Sequence, residues 1–126
     1  IAEEVDRAIT QVSANMNTEI VEFTVAPQVN PEDGLPYHEW FVEFGKAPSD
    51  INNFAAQVDV EMTNLNTYYK DLINGKVLQP LKLRRLKEDS FIDYMRSIGK
   101  LGGQNKVARL SNDRKIADAL KRYVLK

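Results

Sequence analysis

The strongest constraint on the fold is an unbroken apolar stripe in the middle of the chain. Seven apolar side chains follow one another at alternating steps of four and three residues between Ile51 and Leu72. This spacing predicts one long amphipathic helix, with Ser49 as its N-cap and Asn74-Gly75 as its stop. Such a stripe can join a partner coiled coil, but in a short chain of mixed patterns it favours packing on a sheet.

Alternating patterns predict the strands of that sheet. In the first strand, Val21, Phe23 and Val25 are expected on one side, and Pro27 is expected to end the run. The first two strands are expected to form a hairpin with a long polar connection. The three predicted strands are Glu19–Ala26, Tyr37–Phe44 and Leu81–Leu86.

Helical spacing predicts three more helices around these strands. The first begins at Ile1 and is expected to end near Asn15–Asn17, and two short ones are capped by Asp89 or Ser90 and by Ser111. The resulting order is α-β-β-α-β-α-α. It predicts an α+β fold, a two-layer sandwich in which helices cover a small, mainly antiparallel sheet.

The residue composition excludes several kinds of site. The chain has no cysteine and one histidine, so thiol nucleophiles, thiolate metal sites and sites with two imidazoles are impossible. No apolar run reaches the roughly 20 residues of a membrane span. We interpret His38 as a half-exposed packing residue, and Glu39 and Glu43 as part of an outward polar strand face. Neither a catalytic set nor a metal site is therefore expected within the chain itself.

Charge is distributed unevenly along the chain, although the net charge is only −1. Residues 1–75 carry three lysines and arginines against thirteen acidic residues, whereas residues 76–126 carry fourteen against five. The basic end is expected to face phosphate, nucleic acid or an acidic protein surface, unless the two halves simply complement each other. The 126 residues suit one small domain, and a helical start without an initiator methionine suggests a fragment of a longer protein.

The stretch from Gly99 to Leu110 combines a flexible backbone with positive charge. It holds three of the six glycines and three cations, and it lacks an amphipathic period. Three interpretations are open: a solvated connector, a KH-type Gly99-Lys100-Leu101-Gly102 turn that grips nucleic acid, or a loop that presents Lys106 to a phosphate supplied from elsewhere. The third fits better than the second, because no helix directly follows the glycines and the first helix and strands have few basic residues.

The same stretch, extended to Arg114, resembles a C-terminal signature of bacterial members of the auxin-responsive acyl-acid amido synthetase family. The resemblance covers nearly the whole chain and keeps the order and spacing of the family's motifs. Further similar residues are Thr24-Val25-Ala26-Pro27, Tyr37-His38-Glu39-Trp40, Leu65-Asn66 with Tyr69, and Gln79-Pro80.

The resemblance implies the small C-terminal domain of an adenylate-forming enzyme. In this family a large N-terminal domain binds ATP, with Mg, and an acyl acid, and forms an acyl-adenylate and pyrophosphate. An amino acid or other amine then attacks to give an amide, while the C-terminal domain acts as a mobile lid. The implied partners are the chain's own N-terminal adenylation domain and these small molecules, in the cytoplasm. No membrane is expected as a partner, and nucleic acid is the less favoured alternative.

The resemblance also implies roles for residues of the loop. Lys106 corresponds to the catalytic lysine that the lid brings to the nucleotide phosphates. Ala108 stands where the family usually has proline, and Arg109 matches a family arginine whose role could equally be structural. The ATP and acyl-binding motifs are expected in the N-terminal part, so the 126 residues alone are expected to be inactive. The nucleotide-facing loop would comprise Gly99, Lys100, Gly102, Gly103, Gln104 and Arg109, with no metal ligand.

Overall fold

A computed structural model describes all 126 residues and contains five α-helices and three β-strands. The α+β class is confirmed. No helix combines the length and hydrophobicity that crossing a bilayer requires. The elements in chain order are α1 (Ala2–Asn15), β1 (Glu19–Gln28), β2 (Tyr37–Lys46), α2 (Ile51–Leu65), α3 (Thr67–Asn74), β3 (Lys82–Leu86), α4 (Ser90–Ser97), α5 (Lys115–Leu120) and a 3₁₀ turn (Lys121–Tyr123).

The sheet is mixed and has the strand order β1-β2-β3. The predicted hairpin of β1 and β2 is antiparallel and continues past Pro27, which pairs with His38. β3 runs parallel to β2, because the crossover through α2 and α3 returns the chain to the end of the sheet at which β2 began. The expected antiparallel character therefore holds for one of the two strand pairs.

A β-bulge at Val21 interrupts the alternation of β1. Ile20 pairs with Phe44 and Glu22 pairs with Glu43, so Val21 has no partner on β2. Ile20 packs against the core with Phe23 and Val25, whereas Val21 lies on the surface. The expected alignment of Val21 with Phe23 is wrong, because a bulge shifts the alternation by one residue.

Helices cover both faces of the sheet, so the domain has three layers where two were expected. Alternate residues of a strand point to opposite faces, and on β2 Trp40 and Val42 face α1 and α2 while Phe41 faces α4 and α5. The larger core contains thirteen buried residues and the smaller core eight. The layer formed by α4 and α5 carries the basic end of the chain.

The single long helix predicted between Ile51 and Leu72 is wrong, because the chain breaks at Asn66 into α2 and α3. Asn66 has an extended backbone, and its side-chain oxygen accepts a hydrogen bond of 2.8 Å from the backbone N–H of Tyr69. Asn66 thereby caps α3. The N-cap of α2 is Asp50 rather than Ser49, with a carboxylate 3.0 Å from the N–H of Asn53.

Candidate functional site

The glycine loop, residues Gly99–Lys106, leaves the end of α4 and is exposed along its whole length. Gly99, Gly102 and Gly103 have φ values of +72°, +86° and +64°, in the left-handed region that favours glycine. A Cβ atom at any of the three would have no neighbour within 4 Å. These glycines therefore set the direction of the backbone and leave open space beside it.

The five residues that follow the glycine loop, Val107–Ser111, form an anchored segment along β1. The backbone N–H of Val25 donates to the carbonyl of Arg109, and that of Ser111 donates to the carbonyl of Val25, both at 2.9 Å. The hydroxyl of Thr24 donates to the carbonyl of Ala108 at 2.6 Å. The last helix consequently begins at Lys115 instead of near Ser111. Lys106 is the last residue before the anchored segment.

Arg109 is paired within the domain. Its guanidinium group contacts Asp6 of α1 at 2.7 Å and Glu22 of β1 at 3.0 Å, and lies 5.1 Å from the centre of the Phe23 ring. These contacts give Arg109 a structural role, since they tie the anchored segment to two other elements. Lys100 and Lys106, in contrast, form no ion pair and are exposed.

Glu43 fixes the start of α4, the helix that leads into the glycine loop. Its two carboxylate oxygens accept hydrogen bonds of 3.0 Å from the backbone N–H groups of Asp89 and Phe91. Glu43 is only 3% exposed. A carboxylate at a helix N-terminus satisfies free N–H groups and complements the helix dipole. Asp89, one of the two predicted caps, is the N-cap residue. It adopts a left-handed conformation, however, and neither its side chain nor that of Ser90 bonds to a free N–H of the first turn.

Glu39 makes a corresponding connection to the start of α5. One of its oxygens accepts a hydrogen bond from Arg84 of β3 and the other from Arg114, both at 2.7 Å. Burial alone would lower the pKa of Arg84, but the hydrogen bond and the charge of Glu39 raise it above its ordinary value. Glu39 is 5% exposed, so the outward polar face expected for Glu39 and Glu43 is wrong.

The signal that both carboxylates are buried was present in the sequence. Glu39 and Glu43 alternate with Phe41 on one side of β2, and an aromatic residue between them indicates a covered face. Buried carboxylates need charged or hydrogen-bonding partners. The partners come from β3, α4 and the approach to α5, far away in the sequence.

A groove lies between the bulge of β1, helix α4 and the glycine loop. It has a volume of about 270 Å³, and we call it the loop groove. Its charged lining consists of Lys100, Lys106, Arg109 and Glu22, the last two of which form an ion pair. Its apolar lining consists of Val21, Phe91, Ile92, Met95, Leu101 and Val107.

Comparison with known proteins decides the family. Residues 3–115 match the family model described as "GH3 family C-terminal domain". The chain belongs to the GH3 family. The resemblance to acyl-acid amido synthetases is thereby confirmed, and a C-terminal domain implies a preceding N-terminal domain as its partner.

Solved structures show the same fold as this GH3 domain. The structure titled "GH3.15 acyl acid amido synthetase" has a TM-score of 0.78, 16% identity, and an alignment that covers 98% of this chain and 23% of that one. A second, "AtGH3.15 acyl acid amido synthetase in complex with 2,4-DB", has a TM-score of 0.75, 16% identity, and coverage of 98% and 24%. The GH3 domain thus spans about a quarter of each matched structure. No curated protein sequence matches the chain.

The GH3 domain brings together part of the predicted site. Lys100, Gly102, Lys106 and Arg109 all line the loop groove. Gly99, Gly103 and Gln104 are exposed on the same loop but do not line it. The loop thus offers two free cations beside an apolar groove, while Arg109 of the anchored segment is already paired.

His38 lies outside this site and packs within the domain, as expected. Its ring centre is 5.4 Å from that of Tyr69, and the side chain is half-buried. Burial lowers the pKa of His38, and the charge of Asp59 partly opposes this shift. No group of three or more histidine or carboxylate side chains in the GH3 domain is arranged to hold a metal ion.

Proposed function

We propose that this chain is the mobile lid of an ATP-dependent acyl-acid amido synthetase and that it delivers Lys106 to nucleotide phosphates in the preceding domain. The observation that carries the proposal is the contrast between two neighbouring cations. Arg109 is paired with Asp6 and Glu22, whereas Lys106 is exposed and unpaired beside a flexible loop. A free lysine at the edge of an anchored segment is suited to an anion on another domain.

The complete enzyme would catalyse two steps. The carboxylate of an acyl acid attacks the α-phosphorus of ATP, and the bond to pyrophosphate breaks. The nitrogen of an amino acid or other amine then attacks the acyl carbon, giving an amide, AMP and a proton. ATP, its Mg²⁺ ion and the acyl acid would be bound by the preceding domain. Because the reaction consumes ATP, we expect the enzyme in the cytoplasm.

Lys106 would contribute to the first step. Negative charge develops on the phosphate oxygens and on the departing pyrophosphate, and a positioned cation stabilises that charge. Closure of the lid would also keep water away from an adenylate that hydrolyses readily. The anchored segment supports this role, because it fixes the backbone two residues beyond Lys106 while the glycines leave the other side free to move.

The alternative of a nucleic-acid-binding turn at Gly99-Lys100-Leu101-Gly102 has less support. A KH-type turn requires a helix directly after the glycines. Here the glycine loop is followed by the anchored segment, and the next helix begins at Lys115. We propose no nucleic-acid partner.

The test is pyrophosphate exchange by the full-length enzyme with an acid that supports exchange in the wild type. Lys106→Ala is expected to lower the rate by about 100-fold, the typical effect of removing one group that stabilises transition-state charge. Lys70→Ala is the matched control, since it removes an exposed, unpaired lysine of α3 that lies outside the glycine loop and the loop groove. The unfolding temperature should not change for either variant. A Lys106→Ala rate within about threefold of the wild type would refute the assignment.

A further inference from the structure

We propose that the loop groove is the docking surface for the preceding domain and that it receives an apolar side chain of that domain. The inference rests on the proposed function and adds to it the contact that would set the approach of Lys106. It is carried by the exposure, shape and charge of the groove.

The groove groups large apolar side chains that are open to solvent. Val21 is 54% exposed, Ile92 45% and Leu101 48%, and all three line the same depression. Single exposed apolar residues are common on protein surfaces, but a contiguous group of them marks an interaction site. The three residues come from β1, α4 and the glycine loop, so three separate elements contribute to one patch.

The β-bulge is the device that brings Val21 to the groove. In a regular strand Val21 would point towards the larger core, as Phe23 does, and Ile20 would point away. The extra residue reverses this, because Ile20 packs in the core and Val21 faces the groove lined by Phe91 and Ile92. Bulges often re-aim a side chain beside a functional site.

The charges that line the groove indicate what kind of surface can bind there. Lys100 and Lys106 are both unpaired and line the groove. Its one carboxylate, Glu22, is paired with Arg109, so the groove combines apolar side chains with a net positive charge. This combination fits an apolar side chain flanked by phosphate or carboxylate groups. Since Lys106 belongs to the groove, a domain seated there comes within reach of the lysine. A GH3 C-terminal domain implies a preceding domain, and under the proposed function that domain binds the nucleotide whose phosphates Lys106 would reach.

Alkylation of introduced cysteines in the full-length enzyme tests this inference without measuring activity. Ile92→Cys places a thiol in the groove on α4, and Val60→Cys places one on α2, where the native side chain is 52% exposed. With saturating ATP, a maleimide should modify the Ile92→Cys site at least about threefold more slowly than the Val60→Cys site. A covered site reacts only during the fraction of time in which it is open. Peptide mass spectrometry identifies the modified position. Equal rates at the two positions would overturn the inference.

Two further results would also overturn it. If the slowing at Ile92→Cys increases with enzyme concentration, the groove binds a second copy of the chain. If phenylacetate slows the modification of Ile92→Cys in the absence of ATP, the groove is a pocket for a small apolar carboxylate.

The outcomes separate this inference from the proposed function. If Lys106→Ala abolishes exchange while Ile92→Cys remains as reactive as Val60→Cys, the lid function stands and the docking surface is wrong. If Ile92→Cys is protected but Lys106→Ala stays active, docking stands and the role of the lysine is wrong. Ile92→Ser should also lower exchange by about tenfold, given the loss of one buried apolar contact, while Val60→Ser should not.

Discussion

On one face of the sheet, α1, α2 and α3 bury thirteen residues; on the other, α4 and α5 bury eight and depend on two carboxylates from β2. The first face is held together mainly by apolar packing, although the carboxylate of Asp59 on α2 also accepts hydrogen bonds there from the Tyr69 hydroxyl and the Leu81 N–H. Trp40 and Phe54 are fully buried there, and the indole N–H of Trp40 has no hydrogen-bond partner. The second face is closed by directional bonds from Glu39 and Glu43 to groups on β3, α4 and the approach to α5.

The difference reflects the size of the helices and what they carry. α4 has eight residues and α5 has six, too few to bury much apolar surface or to be stable alone. A buried carboxylate defines the position of its partner more sharply than an apolar contact does. We infer that the first face is a scaffold and that the second places the glycine loop, the anchored segment and Lys106.

The largest effect on stability is expected on the scaffold face. Trp40→Ala should lower the free energy of unfolding by about 3–5 kcal/mol, because it removes a large buried ring and leaves a cavity. Urea denaturation of the full-length enzyme, followed by a probe in this domain, measures the change. A loss below about 1 kcal/mol would contradict the view that this face depends on packing area.

A smaller loss of stability is expected for a change on the other face, and it should affect the dynamics of α4 alone. Glu43→Ala should cost about 2–3 kcal/mol, since it leaves the buried N–H of Phe91 and the partly buried N–H of Asp89 without their acceptor. Amide hydrogen exchange should rise in α4 and remain unchanged in α1. Glu88→Ala, at an exposed neighbouring position, is the control and should do neither. An equal rise in amide hydrogen exchange in α4 and α1 would contradict the distinction between the two faces.

Arg109 tests whether the anchored segment positions the lysine. Arg109→Gln should lower stability by only about 1 kcal/mol, because both ion pairs are partly exposed. Pyrophosphate exchange should nevertheless fall by about tenfold, as Lys106 loses a fixed neighbour. Arg109→Lys should restore part of the rate, and Arg96→Gln on the exposed side of α4 serves as the control. A loss of stability without a loss of exchange would make Arg109 purely structural.

The smallest effect concerns pH and the scaffold face. Burial lowers the pKa of His38 below 6.5, so near that pH the unfolded chain binds more protons than the folded chain. Stability should therefore fall as pH decreases through 6.5 towards the lower folded pKa. His38→Gln should remove this part of the decline in urea denaturation curves recorded between pH 8 and pH 5. If the free energy of unfolding depends on pH in the same way for His38→Gln and for the wild type, this role of His38 is contradicted.

Sequence patterns over a few residues correctly predicted the features that depend on interactions between neighbouring residues. The alternating patterns predicted the hairpin of β1 and β2. The residues of the glycine loop were singled out from composition and spacing alone. The break at Asn66 was missed because the apolar spacing continues across it, from Leu65 in α2 to Tyr69 in α3.

Long-range partners account for the other differences. Glu39 is bound to arginines that lie 45 and 75 residues away, so its burial depends on residues that no local pattern connects to it. The sequence predicts a helix capped by Ser111 directly after the loop, but the open edge of β1 supplies hydrogen-bond partners that favour an extended backbone there. The site therefore depends on pairings that only the folded chain makes.

The most direct test of the account separates the two half-reactions in the full-length Lys106→Ala enzyme. Formation of the acyl-adenylate should slow by about 100-fold, because the lost charge acts on the nucleotide phosphates. Transfer of a chemically prepared acyl-adenylate to the amine should stay within about threefold of the wild type, since that step requires no departing pyrophosphate. Equal slowing of both half-reactions, or of neither, would contradict the claim that this domain delivers Lys106 to the phosphates.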